Sequence, residues 1–187
     1  MRVIFLDIDG VICTKRALTT AYANWFGFDP TGFGAQGWNF DTTHLQDRRD
    51  AKKCIPGFSC DYWPFDQEAV NLMHRIVREN DDIRFVISSS WRVGETLESL
   101  DEKLHLKGLQ IPIIDFTKSD FKKRGEQIND WLEANREKHN VTQFCVIDDE
   151  VQYDIIQYIP NNCVETEFTL GFTETHFREA MNILRRP

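Results

Sequence analysis

The pattern of this chain predicts an α/β fold, a parallel sheet wound in both directions, covered by helices on two faces and interrupted by one long insertion. Three observations predict it. Short apolar segments of strand length alternate with segments of helical period, and strands separated by helix-length crossovers pair in parallel. Polar residues suited to chemistry fall where the strand segments end, which is where parallel sheets present their ligands. One stretch, from Cys13 to Phe65, shows no such alternation. A break of that length inside a compact domain marks an insertion with a task of its own, such as a lid.

The strands are read as Arg2–Leu6, Ile83–Ser88, Gln110–Asp115, Phe144–Ile147 and Asn162–Glu165. Helical spacing marks Gln67–Glu79, with Val70, Met73, His74 and Val77 on one face. It also marks Gly125–Glu137, through Ile128, Trp131 and Leu132, and Phe177–Leu184, through Phe177, Ala180, Met181 and Leu184. The irregular stretch is rich in glycine and in rings: 11 of the 44 residues from Tyr22 to Phe65 are aromatic, against 12% of the whole chain. That enrichment fits a lid with a small core of its own or a stacking platform for a nucleobase. Residues 1–13 and 66–187 are therefore assigned to a catalytic core and residues 14–65 to a cap.

With 187 residues, the chain has room for one compact domain plus an insertion. Its longest apolar runs, such as Val3–Leu6 and Ile111–Ile114, fall far short of the roughly 20 residues a bilayer span needs. Asp7 and Asp9 interrupt the N-terminal apolar stretch too early for a signal peptide. A net charge of −8, from 22 basic and 30 acidic residues, repels a long phosphate backbone unless basic groups are gathered at the site. It is easier to reconcile with a small anionic substrate held through a metal. The five cysteines, Cys13, Cys54, Cys60, Cys145 and Cys163, are odd in number and scattered, which reads as free thiols in a reducing, cytoplasmic setting. Cys54 and Cys60 with His44 match no compact zinc spacing.

Four strand ends or helix starts carry a particular chemistry. The first strand runs into Asp7-Ile8-Asp9-Gly10. A period of two puts Asp7 and Asp9 on one side of the backbone, and Gly10 permits a sharp turn. The second strand ends in Ser88-Ser89-Ser90-Trp91-Arg92, a basic trio Lys122-Lys123-Arg124 precedes the helix at Gly125, and the fourth strand ends in Asp148-Asp149-Glu150. Clustered aspartates repel one another and are stable together mainly around a divalent cation, and oxygen-only ligands favour Mg²⁺. Beside such an ion one carboxylate stays ionised and free to attack phosphorus. A serine hydroxyl and a lysine or arginine cradle the other phosphoryl oxygens. A second aspartate can protonate the leaving oxygen and then activate water.

The segment VIFLDIDGVI resembles the first signature of the haloacid dehalogenase-like (HAD) superfamily, whose Rossmann-like three-layer sandwich carries a cap between its first and second motifs. The other three pieces follow in the superfamily's order. More narrowly, ISSSWR, KRGEQINDWL, FCVIDDE and the LGFT before the last helix resemble a subgroup found in RNA-repair and phage proteins. The resemblance implies a phosphatase in which Asp7 is the nucleophile and Asp9 the general acid and base. Asp9 would also offer its backbone carbonyl to Mg²⁺. Ser89, two residues before Trp91, would bind the phosphoryl group, with Ser88 the alternative and Ser90 beside them. Asp148 would ligate the metal, with Asp149 beside it or one water away. The cationic position falls on Arg124, with Lys123 the alternative.

Within the cap, Trp25, Trp38 and Trp63 are the candidate rings for a substrate base, and Arg48, Arg49, Lys52 and Lys53 form a basic patch. A solvated helix face is the default reading of that patch, and a second phosphate or nucleic-acid contact is the alternative. His74, on an apolar face, is read as a packed residue, and Trp91 and Arg92 as structural residues behind the serines that orient the loop or pair with a carboxylate. The expected substrate is a small phosphorylated compound, a nucleoside or deoxynucleoside monophosphate, with an RNA or DNA end next. Two rival classes are a receiver-type signalling module and a catalytically weak phosphate-binding protein. A receiver accepts phosphate on a mid-chain aspartate, whereas Asp-x-Asp-Gly stands here on the first strand.

Overall fold

The computed structural model describes residues 1–18, 20 and 64–186. Its centre is a five-stranded sheet of β1 (Arg2–Leu6), β2 (Ile83–Ile87), β3 (Ile113–Phe116), β4 (Gln143–Asp148) and β5 (Cys163–Glu165). The order is β3-β2-β1-β4-β5, and every pairing is parallel. The chain winds outward from β1 to β3, then returns to the other side of β1 for β4 and β5. The reversal places the switch point of the sheet between the carboxyl ends of β1 and β4, the position at which doubly wound sheets bind their ligands.

Among the described residues, four α-helices of ten or more residues cover the sheet: α1 (Gln67–Glu79), α2 (Leu97–Leu106), α3 (Arg124–Asn135) and α4 (Glu174–Leu184). Period two along β1 sorts its side chains between two cores. Ile4 and Leu6 join Met73 and Ile76 of α1, Leu100 and Leu104 of α2 and Phe177 and Met181 of α4. Val3 and Phe5 face the other way, with Val86, Val146 and the α3 residues Ile128, Trp131 and Leu132. Phe5 meets Trp131 edge-on, with centroids 5.3 Å apart. Each layer is thus closed by its own apolar face, as the alternating pattern requires.

The differences from the sequence reading have local causes. The sequence pattern does not announce helix α2, because only Leu100 and Leu104 of LESLDEKLHL are buried and its turns are otherwise charged. Its start is fixed by Thr96 and Ser99, whose hydroxyls accept from each other's backbone N–H at 3.2 and 3.0 Å. Strand β3 begins only at Ile113, after Pro112, which lacks the N–H a ladder needs. On α1 the packed stripe is Ala69, Val70, Leu72, Met73 and Ile76. His74 lies at its edge, half-buried, and its Nε2 accepts from the Gln110 N–H at 3.0 Å.

The described residues on either side of the insertion meet at Asp66. The Asp66 N–H donates to the Ile12 carbonyl at 2.8 Å. The Asp66 carboxylate accepts from Thr14 Oγ1 at 2.9 Å and from Arg16 at 2.7 and 2.8 Å. The same side chain caps α1 through the N–H groups of Glu68 and Ala69. Most of the cap assigned to residues 14–65, with Trp25, Trp38, Trp63, the basic patch and Cys54, Cys60 and His44, lies outside the described residues. Cys13 and Cys145 are buried free thiols, and Cys163 is half-buried and also free. No helix among the described residues is long and apolar enough to cross a membrane.

Candidate active site

Strand register decides which polar residues meet. Asp7 follows Leu6, which pairs with Ile147 of β4 on one side and Ile87 of β2 on the other. Asp148 and Ser88 therefore flank Asp7 one step beyond those pairs. By alternation all three continue the face that carries Phe5, Val86 and Val146, the face packed on α3. Helix α3 opens with Arg124. Its guanidinium lies 3.2 Å from Asp7 Oδ2 and also bonds Asp148 Oδ2. Lys123 points elsewhere: its ammonium pairs with Asp154 at 2.6 Å and is half-exposed. Of the two cations weighed from the sequence, Arg124 is the one set among the aspartates.

Asp7, Asp148 and Asp149 each offer a carboxylate oxygen within 4.8 Å of the others. Asp7 and Asp148 are buried, and Asp7 Oδ1 has no hydrogen-bond partner among the described residues. Asp148 Oδ1 accepts from the Glu150 N–H at 2.8 Å, which orients it. Gly10 brings Asp149 close. Its φ is +75°, and a Cβ there would lie 2.0 Å from Asp149 Oδ2, so only glycine leaves room for that carboxylate. The Gly10 carbonyl accepts from Thr166 Oγ1 at 2.9 Å, which holds the turn. The Asp9 side chain is buried in the same loop but is not among the three clustered carboxylates.

The electrostatics express a shortage of positive charge. Burial, then the Asp7 charge, push the Asp148 carboxyl above its ordinary range, against the pull of Arg124. Asp149 is pushed up to about 8, by burial first and then by Asp7 and Asp148. Burial opposes the Arg124 charge, yet Asp7 and Asp148 outweigh it and hold that guanidinium above its usual value. One arginine thus faces three carboxylates. This set of three carboxylates, with the Asp7 Oδ1 atom unpartnered among the described residues, fits a hard divalent cation such as Mg²⁺.

The serine loop lies beside this cluster. Ser88 and Ser89 are both fully buried, whereas Ser90 is exposed. Ser88 Oγ has no hydrogen-bond partner among the described residues. Ser89 Oγ accepts from the Trp91 N–H at 3.4 Å and caps the short 3-10 turn Ser90–Arg92. The Trp91 ring meets Phe65 at 5.8 Å, which joins the serine loop to the root of the insertion. Arg92 turns inward beneath the loop, onto carbonyls rather than carboxylates. Sequence reasoning passed over two further residues, Thr117 and Gln127. Thr117 is fully buried at the end of β3, its Oγ1 without a partner among the described residues. Gln127 accepts from Arg92 Nη2 at 2.7 Å and donates to Asp120 Oδ1 at 3.0 Å. The one signal for Gln127 was an amide on the apolar face of α3, next to Ile128.

A doubly wound sheet with an aspartate cluster at its central strand ends, and a cation at a neighbouring helix start, defines a hydrolase of the haloacid dehalogenase-like class. Within that class the chain belongs to the family described as the HAD domain in Swiss Army Knife RNA repair proteins, whose model matches residues 3–177. No curated protein and no solved structure gave a match.

Proposed function

We propose that the chain is a Mg²⁺-dependent phosphomonoester hydrolase that works through an aspartyl-phosphate. The observation that carries this reading is the meeting of Asp7, Asp148 and Asp149 with Arg124 at the switch point of the sheet. Asp7, Asp148, Asp149 and the Asp9 backbone carbonyl would hold the ion, which supplies charge neutralisation for the carboxylates and the phosphoryl oxygens.

An Asp7 oxygen attacks phosphorus, and the ester oxygen leaves with a proton from Asp9. Asp9 then takes a proton from water, the water oxygen attacks the phosphorus of the acyl phosphate, and Asp7 is regenerated as phosphate departs. Arg124 stabilises charge on the transferring group. The phosphoryl-binding hydroxyl comes from the Ser88–Ser89 pair. Spacing to Trp91 supports Ser89, and the partnerless Oγ supports Ser88. Residues 14–65 act as a cap that closes over the site and selects the leaving group.

The substrate is a phosphate ester of a nucleoside. The net charge of −8 supports a mononucleotide, read by rings among Trp25, Trp38 and Trp63. The family's description, which names RNA repair, supports a second reading, a terminal phosphate on RNA or DNA. A phosphate-release screen with Mg²⁺ over nucleoside 5′- and 3′-monophosphates, sugar phosphates and phosphorylated oligonucleotides separates them. Turnover of mononucleotides with a flat salt response supports the first. A kcat/KM that falls steeply with salt on oligonucleotide ends supports the second. Silence across the panel, or activity that survives Asp7→Asn, sinks the mechanism.

A further inference from the structure

Arg92 is only 6% exposed, yet its guanidinium touches no carboxylate among the described residues. Its five hydrogen bonds all go to neutral oxygens. Nε donates to the Thr117 carbonyl at 2.7 Å, and Nη1 to the carbonyls of Ser88, at 2.7 Å, and Ser89. Nη2 donates to the Lys118 carbonyl at 3.1 Å and to Gln127 Oε1 at 2.7 Å. A buried charge is ordinarily paired with an opposite one. A full set of donors spent on loop carbonyls asks for another explanation.

The partners supply it. Two of the carbonyls belong to consecutive serines of the candidate phosphoryl-binding loop. In a planar trans peptide the C=O and the following N–H point in opposite directions. Drawing the Ser88 and Ser89 carbonyls onto Arg92 therefore turns the N–H groups of Ser89 and Ser90 away from the guanidinium, and fixes their direction. Two more carbonyls, of Thr117 and Lys118, belong to the loop that leads into α3. The fifth acceptor, Gln127, stands on α3 itself, one turn beyond Arg124. A single side chain thus bolts together the serine loop, the β3–α3 loop and the helix that aims Arg124 at Asp7.

The charge matters as well as the bonds. Burial, and then the neighbouring Arg124 charge, lower the Arg92 pKa to about 10, which leaves it protonated at neutral pH. A second cation, not cancelled by contact, therefore stands behind the site that must receive an anion.

We propose that Arg92 is a positioning residue for phosphoryl transfer, setting the serine loop and Arg124 in register and adding positive potential behind the phosphoryl group. The proposal rests on the phosphatase reading above. Its test uses the whole chain with Mg²⁺ and compares wild type, Arg92→Lys, Arg92→Ala and, as a remote control, Arg2→Lys. Arg2 bonds Asp82 at the opposite end of the sheet. The readouts are the affinity for inorganic phosphate by isothermal titration, kcat and KM on the best substrate of the screen, and Tm.

Arg92→Lys should lower kcat by roughly 10- to 100-fold, with KM much less changed, and weaken phosphate binding by about tenfold. Millimolar guanidinium should restore part of the activity of Arg92→Ala and leave that of the Arg2→Lys control unchanged. A merely structural arginine predicts losses that follow Tm and no response to guanidinium. Should Arg92→Ala fail to fold, Arg92→Lys decides alone. Phosphate affinity and kcat equal to wild type in Arg92→Lys overturn the proposal and leave the phosphatase reading standing. A wild-type chain that neither binds phosphate nor turns over any substrate overturns both.

Discussion

Asp66 is buried, as are Asp7 and Asp148 of the aspartate cluster at the ends of β1 and β4, yet the protein treats the two places in opposite ways. Asp66 is fully answered: both oxygens accept from Arg16, one also from Thr14, the other from the N–H groups of Glu68 and Ala69. Burial alone would raise its pKa, but these partners together hold it below the ordinary carboxylate range. At the sheet ends, Asp7, Asp148 and Asp149 share Arg124, and burial and mutual repulsion hold Asp148 and Asp149 above that range. A carboxylate supplied with every partner it can use holds structure together. A group of carboxylates kept short of positive charge is able to take up a metal ion.

Exchanging the two behaviours by mutation gives the largest expected effects. Asp7→Asn should lower turnover by at least about 10³-fold, because it removes the proposed nucleophile. Its Tm without metal should hold or rise, since one of three repelling charges is removed. Asp66→Ala should do the reverse. It removes a helix cap and strands Arg16 and Thr14, a loss of about 2–3 kcal/mol seen as a lower Tm, while kcat of the folded fraction changes far less. Calorimetry and phosphate release on both variants check the pair. Asp7→Asn that unfolds, or Asp66→Ala that is inert at wild-type stability, breaks the division.

Titration with and without Mg²⁺ sharpens the comparison at smaller amplitude. Asp66 has a folded pKa below its unfolded value near 3.9, so its stabilisation is present above that pH and is lost as pH falls through the folded value. Asp148 and Asp149 have folded pKa values above their unfolded ones, so the chain without metal is favoured while they are protonated. That advantage is lost as pH rises from about 4 through about 8, the Asp149 value. Without metal, Tm should therefore decline by roughly 2–4 °C between about pH 6 and pH 8.5. Saturating Mg²⁺ should flatten that decline, and Mg²⁺ affinity should weaken as pH falls below about 8, because the ligands must lose protons to bind. A metal-free Tm that rises across the same window would reverse the sign argued here.

What the sequence made legible follows the same physics. Strand β1 and helix α1 have the bounds their patterns predict, because both are bounded by strong signals: Asp7 and Gly10 after one, the Asp66 cap before the other. Helix α4 begins at Glu174, three residues before the apolar Phe177 that announced it, since the Thr173–His176 cap starts it earlier. The gathering of Asp7, Asp148 and Asp149 was readable because period two and the strand-end rule act on residues adjacent in the pattern. The choice between Lys123 and Arg124 was not. Neighbouring positions on a helix start differ only in direction, and direction is set by packing on the sheet. The Arg92 bonds were hidden for another reason: four of their five acceptors are backbone carbonyls, which leave no trace in residue identity.

Two milder substitutions probe how tightly the reactive region is built compared with its surroundings. Gly10→Ala would put a Cβ 2.0 Å from Asp149 Oδ2 at a φ of +75°. It should cost about 1–2 kcal/mol and weaken Mg²⁺ binding, measured by titration calorimetry, more than it lowers Tm. Lys123→Ala should do least of all. Its ammonium pairs with Asp154 on the half-exposed side of the helix start, where ion pairs are screened and contribute little. Its kcat should stay within about twofold of wild type and its Tm should be unchanged. Arg124→Ala, one residue along, should lower kcat by roughly 10²- to 10³-fold, because that cation faces Asp7 and Asp148. Equal losses in the two variants would mean that the helix start, rather than the Arg124 guanidinium, supplies the positive charge. The contrast between an answered and an unanswered aspartate would then have to be redrawn around both cations.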